Sequence, residues 1–80
     1  MKQVDTISKL QLLFAFVLDK PDVVITAETN TETLPEWDSL AHIHLIVEVE
    51  NTFGIVISAE EMRSIVCVAD LLKLIAKTHR

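Results

Sequence analysis

Apolar residues recur at steps of three and four in three separate stretches, while the short run of residues 23–26 is strand-like by propensity but has no second strand available to pair with it. This run is therefore expected as extended loop. The chain can then bury its apolar surface only by packing helix on helix. The first stripe spans about residues 5–18. Val4, Ile7, Leu10, Phe14, Val17 and Leu18 carry it, and Leu12, Leu13 and Phe16 widen it. Asp5 or Thr6 can cap its start, and Lys20-Pro21 ends it.

A long polar connection follows, residues 19–38, with no helical stripe. Val23, Val24, Ile25 and Leu34 are its candidate anchors to the core. A loop of this length in so short a chain is often functional. The second helix is expected from Ser39 to about Thr52. At about 100° per residue, Leu45, Val49, Ile46 and Ile43 fill a broad arc with Leu40 and Val47 at its edge. His42 lies within that arc; Ala41, His44, Glu48 and Asn51 lie opposite. The only glycine, Gly54, stands where this helix should stop. Ser58 and Glu61 form a capping-box pattern that opens a short helix over about residues 59–64. The last helix is expected over about residues 68–77, on a stripe of Val68, Leu71, Leu72 and Ile75 widened by Leu74. The expected fold is all-α: a small bundle of three main helices and one short helix, with a long first loop, in one domain spanning residues 1–80.

Charge narrows the function. Nine acids and no lysine or arginine lie between Pro21 and Met62, and the net charge is −5. A one-signed surface of this kind repels phosphate backbones and attracts basic partners, which argues against nucleic-acid binding. No apolar run approaches membrane-span length, and the first residues lack the pattern of a signal peptide. With one cysteine no internal disulfide can form. A soluble, cytoplasmic monomer is expected. His42 and His44 fall on roughly opposite sides of one helix and cannot chelate a metal together, so no metal site is expected.

The chemical candidate is Ser39. Asp38 or Ser39 can cap the second helix. A serine hydroxyl exposed at a helix N-terminus could also carry a phosphodiester, because the free N–H groups and the dipole favour a phosphate there. A serine hydrolase is not supported: there is no nucleophile-elbow pattern and no scaffold for an oxyanion hole. Trp37 stands one residue before this pair, as a loop anchor or as a partner-facing aromatic.

The segment "WDSLAHIHLIVEVENTFGIVISAEEM" and the later "IVCVADLLKLI" resemble the acyl and peptidyl carrier proteins. Asp38-Ser39-Leu40 matches the family's Asp-Ser-Leu signature. Phe53, Ile55 and Ile57 match its F-x-I-x-I segment, and the resemblance covers essentially the whole chain. It implies that Ser39 carries 4′-phosphopantetheine taken from coenzyme A, whose thiol holds an acyl or aminoacyl group as a thioester. It also implies that Asp38 assists a phosphopantetheinyl transferase through that enzyme's divalent metal. The protein is then not itself an enzyme. Its partners are the transferase, an acyl- or aminoacyl-loading ligase and downstream acyl-processing enzymes. Leu40, His44, Val47, Glu48, Glu50 and Trp37 are the expected partner-binding residues. Cys67 stands where the family often has a capping threonine or serine, and burial is its expected state.

Carriers of fatty-acid synthesis usually have an acid after the Asp-Ser-Leu triplet and further acids along the helix. Here Ala41 and His44 occupy two such positions. The resemblance is therefore to free-standing carriers of dedicated pathways, such as specialised-metabolite or polyketide assembly or cell-surface sugar modification. The alternatives are a peptidyl or aminoacyl carrier, and an unmodified helical interaction module of the same fold.

Overall fold

The computed structural model describes the backbone of residues 3–78 and the side chains of residues 6–77. It contains four helices, α1 (Gln3–Val17), α2 (Ser39–Phe53), α3 (Ala59–Ser64) and α4 (Val68–Thr78). The described residues form no strand, only an isolated bridge between Asn30 and Cys67. The fold is the all-α bundle with a long first loop that the periodicity implies.

Local signals explain most helix ends. α2 stops at Gly54, whose φ of 66° is left-handed, and the N–H groups of Gly54 and Ile55 both donate to Glu50 O. α3 opens on the full Ser58–Glu61 capping box. α1 ends in the same way as α2 but without a glycine. Asp19 takes φ 53°, its N–H donates to Phe16 O at 3.3 Å, and Lys20 N–H donates to Ala15 O at 3.0 Å. The helix thus ends at Val17, ahead of Lys20-Pro21. It begins at Gln3, two residues before the expected start. Thr6 therefore sits inside the helix and is buried rather than capping it. The side chains of Val4 and Asp5 lie outside the described residues.

The core joins Leu10 and Phe14 of α1, Leu45, Ile46, Val49 and Phe53 of α2, and Val68, Leu71, Leu72 and Ile75 of α4. The long loop contributes Val23, Ile25, Leu34 and Trp37. In α1 and the long loop, three side chains expected at the core face or as anchors to it are outside it. Leu12, Phe16 and Val24 are 71%, 67% and 79% exposed. Leu12 and Phe16 widen the stripe beyond the part that packs into the core. Val24 alternates with buried Val23 and Ile25, as extended backbone requires.

Two long-range contacts hold the loop. The Gln11 side chain supplies the missing strand partner: its amide donates to Val23 O and accepts from Ile25 N–H at 2.9 Å. The loop then caps α4. Val68 N–H donates to Thr29 O at 2.8 Å and Ala69 N–H to Ala27 O at 2.9 Å, which satisfies two donors of the helix's first turn. Asp70 completes this end by accepting from Val66 N–H at 3.0 Å and Cys67 N–H at 3.3 Å. Cys67 is accordingly half-buried beside this carboxylate instead of fully packed.

These caps carry a pH dependence. The Val66 N–H bond holds the Asp70 carboxyl below its usual range against the opposing effect of burial, with help from Cys67 and Lys73. The Ser58 backbone N–H, then its hydroxyl, does the same for Glu61. A carboxylate depressed in the folded state stabilises it fully above the unfolded pKa, about 4. That stability disappears as pH falls through the folded value. Acid titration of thermal stability should show a loss below about pH 4, and the Glu61→Gln, Asp70→Asn pair should make that loss shallower.

Candidate functional site

The loop reaches α2 through Trp37, which is 2% exposed. Its ring meets Phe14 edge-on at 5.0 Å between centroids. Its Nε1–H donates to His42 Nδ1 at 2.9 Å, and His42 Nε2 lies 2.8 Å from Met62 O of α3. The tautomer follows from the partners. An indole N–H can only donate, so Nδ1 accepts; a carbonyl can only accept, so Nε2 carries the proton. One imidazole thereby ties the loop, α2 and α3 together. Trp37 is the loop anchor, and its assignment to partner binding is overturned by burial. Replacing His42 with phenylalanine should cost roughly 1–3 kcal/mol, because the buried indole N–H loses its acceptor, while Met62 O keeps the Ile65 N–H. Thermal unfolding measures that cost, and the indole N–H resonance reports the lost bond.

The anchored tryptophan delivers Asp38 and Ser39 to the surface. Asp38 is the N-cap of α2, with φ −95° and ψ −173°, and its Oδ1 accepts from Ala41 N–H at 2.9 Å. The choice between Asp38 and Ser39 as cap is thus decided for Asp38. Ser39 is the first helical residue, is exposed, and its hydroxyl is not spent on capping. Neither nearby histidine is placed as its base. Both His42 nitrogens are engaged elsewhere, and His44 Nε2 pairs with Glu48 Oε2 at 3.5 Å.

The buried arc of α2 is rotated from the expected one. Leu45, Ile46, Val49 and Phe53 are buried, while Ile43 is 51% exposed. Leu40 and Val47 are not core edge but stand in solvent at 78% and 45%. Leu40, Ile43, His44 and Val47 therefore make an outward row at helical spacing. The Phe16 ring of α1 meets the His44 ring at 6.0 Å. Glu50, expected on the partner surface, is instead used within the fold. Its carboxylate accepts from Ile57 N–H at 2.7 Å and holds the segment before α3. The α2–α3 connection, with Ile55 and Ile57 buried, is pinned by that bond.

A groove of about 640 Å³ opens beside the start of α2, walled by Val17, Leu18, Leu40 and Ile43, with Glu36, Asp38 and His44 at its edges. No group of three or more His, Cys, Asp or Glu among the described residues could hold a metal ion. No helix among them is long and apolar enough to cross a membrane.

Among solved structures, the chain matches the solution NMR structure of a holo acyl carrier protein from Geobacter metallireducens. The TM-score is 0.81 at 35% sequence identity, and the match covers 90% of this chain and 83% of that one. No family model matches the chain, and no curated protein does.

Proposed function

Because the chain belongs to the acyl carrier protein family, and is a carrier rather than an enzyme, we propose that Ser39 is the attachment point of a 4′-phosphopantetheine arm. The observation that carries this reading is the division of labour at the start of α2. Asp38 caps the helix, which leaves the adjacent Ser39 hydroxyl exposed and outside the cap. The N-terminus of a 15-residue helix also suits a phosphodiester electrostatically. The arm ends in a thiol that carries acyl or aminoacyl cargo as a thioester. The serine needs no base of its own, since a phosphopantetheinyl transferase supplies the chemistry, assisted by the Asp38 carboxylate. Residues 1–80 act in this reading as one monomeric, cytoplasmic carrier domain. It serves a loading ligase and downstream acyl-processing enzymes of a dedicated biosynthetic pathway.

The test is transfer from a fluorescent coenzyme A analogue, followed by proteolysis. The label should fall on the peptide containing Ser39 and nowhere else. Cargo loaded afterwards from the natural arm should be released by neutral hydroxylamine, as a thioester is; cargo resistant to hydroxylamine would contradict thioester carriage.

Leu40, His44, Val47 and Glu48 are the partner-facing residues of this proposal. Glu48→Lys should lower kcat/KM for transferase modification roughly 5- to 10-fold while thermal stability changes little, because a partly exposed rim charge acts mainly on encounter. Glu50→Lys, by contrast, should destabilise the fold, because it removes the acceptor of Ile57 N–H. Equal stability of the two variants would return Glu50 to the docking surface.

A further inference from the structure

His42 joins the long loop, α2 and α3 through one ring, and the two ends of that ring respond differently to a proton. At Nδ1 the partner is the Trp37 indole, which can only donate, so this bond exists only while Nδ1 keeps its lone pair. At Nε2 the partner is the Met62 carbonyl, which accepts from the ring N–H whether the imidazole is neutral or charged. A proton arriving at Nδ1 sets one N–H against another across 2.9 Å and leaves the bond to α3 in place. The tie from α2 to the loop is therefore proton-sensitive, and the tie from α2 to α3 is not.

The surroundings give a charged ring no new partner. Both nitrogens of this half-buried side chain are engaged, and no carboxylate bonds to either. On the loop, Asp38 accepts from Ala41 N–H, and Glu36 lies 3.8 Å from Lys20. On α3, Glu61 is held in its capping box with Ser58, while Glu60 and Arg63 are exposed. On α2 itself, His44 pairs with Glu48 on the opposite side of the helix. α1 contributes Phe14, an uncharged ring against the indole. A positive charge on His42 thus loses one bond and gains none.

What the ring holds is the end of the loop that presents the attachment point. Trp37 immediately precedes the Asp38 cap and the exposed Ser39. We propose that His42 is a positioning residue for modification of Ser39, and that protonation of its ring releases the loop end. Neutral, it fixes Trp37 and through it Asp38 and Ser39. Charged, it lets go of the indole while keeping Met62. Histidine is the side chain that ordinarily changes charge between about pH 5 and 8. The release therefore lies above the acid loss set by Asp70 and Glu61, which falls below about pH 4. The consequence for Ser39 rests on the carrier reading above; the proton-sensitive tie does not.

The test is an NMR titration of the isotope-labelled full chain from about pH 8 to about pH 5. It follows the His42 ring and the indole N–H of Trp37, the only tryptophan in the chain. The indole resonance and the amides of Asp38 and Ser39 should move with the midpoint of the His42 ring. His42→Gln is the non-titrating control, since its amide offers an acceptor to Trp37 and a donor to Met62 O. In that variant the indole resonance should stay flat across the range. Phosphopantetheine transfer is compared as the ratio of the wild-type rate to the His42→Gln rate, so that the transferase's own pH dependence cancels. That ratio should be roughly one at about pH 7.5 and at least about threefold lower at about pH 5.5, as the fraction of chains with a positioned loop end falls.

A His42 ring that stays neutral down to about pH 5, an indole that does not follow it, or an indole that follows the His44 ring instead would overturn the proposal. A rate ratio that stays constant with pH would overturn the positioning role. The wild-type titration needs no variant, so it remains decisive should His42→Gln fold poorly. It also needs no modification: absence of transfer at every pH would count against the carrier reading, while the indole titration would still decide whether the tie to His42 is proton-sensitive.

Discussion

Trp37→Ala should lower the stability of the protein by about 3–5 kcal/mol, the range for truncating a buried tryptophan. For a domain of this size that is a fall in melting temperature of about 15 °C or more. Three losses combine. The indole leaves a cavity against Phe14, the edge-on ring contact disappears, and His42 Nδ1 is left without its donor. Trp37→Phe separates them. It keeps an aromatic ring against Phe14 but removes the N–H, and should cost only about 1–3 kcal/mol. Thermal unfolding followed by circular dichroism measures both. A loss below about 1 kcal/mol for Trp37→Ala would show that the indole lies on the surface, and the link from loop to α3 would fail with it.

Ser39→Ala should have the opposite profile: no attachment of the arm at all, with stability changed by no more than about 0.5 kcal/mol, as for an exposed residue outside the cap. Asp38 gives a sharper comparison, because its two proposed roles can be divided. Asn caps a helix about as well as Asp, so Asp38→Asn should hold stability to within a few tenths of a kcal/mol. It should still slow modification at least about tenfold, roughly the loss of one charge-assisted interaction. Asp38→Ala should add a cap penalty of about 1 kcal/mol. Full-speed modification of Asp38→Asn would reduce Asp38 to a helix cap.

The parts of this structure that a sequence can show are those fixed by neighbours a few residues apart. The capping box of Ser58 and Glu61, the stop at Gly54 and the stripe of α4 are all local, and their helices lie where the pattern puts them. The orientation of α2 is not local. That helix is apolar almost all round, so periodicity alone cannot say that Ile43 faces solvent while His42 faces Trp37 and Met62. What holds the long loop was equally hidden. Gln11 serves as strand partner to Val23 and Ile25, and the carbonyls of Ala27 and Thr29 cap α4, in each case across a dozen residues or more. Backbone groups and a single amide side chain leave no mark in a hydrophobic pattern. Glu50 misled for a related reason: a carboxylate on a surface helix looks like a docking charge until its bond to Ile57 N–H is seen. At the site, the Asp38-Ser39-Leu40 triplet was legible, but the identity of the cap needed coordinates, since both residues are good caps.

That Ser39 accepts the arm is the central claim. Its most direct measurement is the intact mass of the protein after incubation with coenzyme A, magnesium and a broad-specificity phosphopantetheinyl transferase, with Ser39→Ala alongside. One phosphopantetheine should add to the wild type and none to the variant. No addition to folded wild-type protein, by a transferase shown active on another carrier and by the transferase of the protein's own organism, would contradict the claim. The chain would then be a helical interaction module that keeps the triplet without carrying the arm.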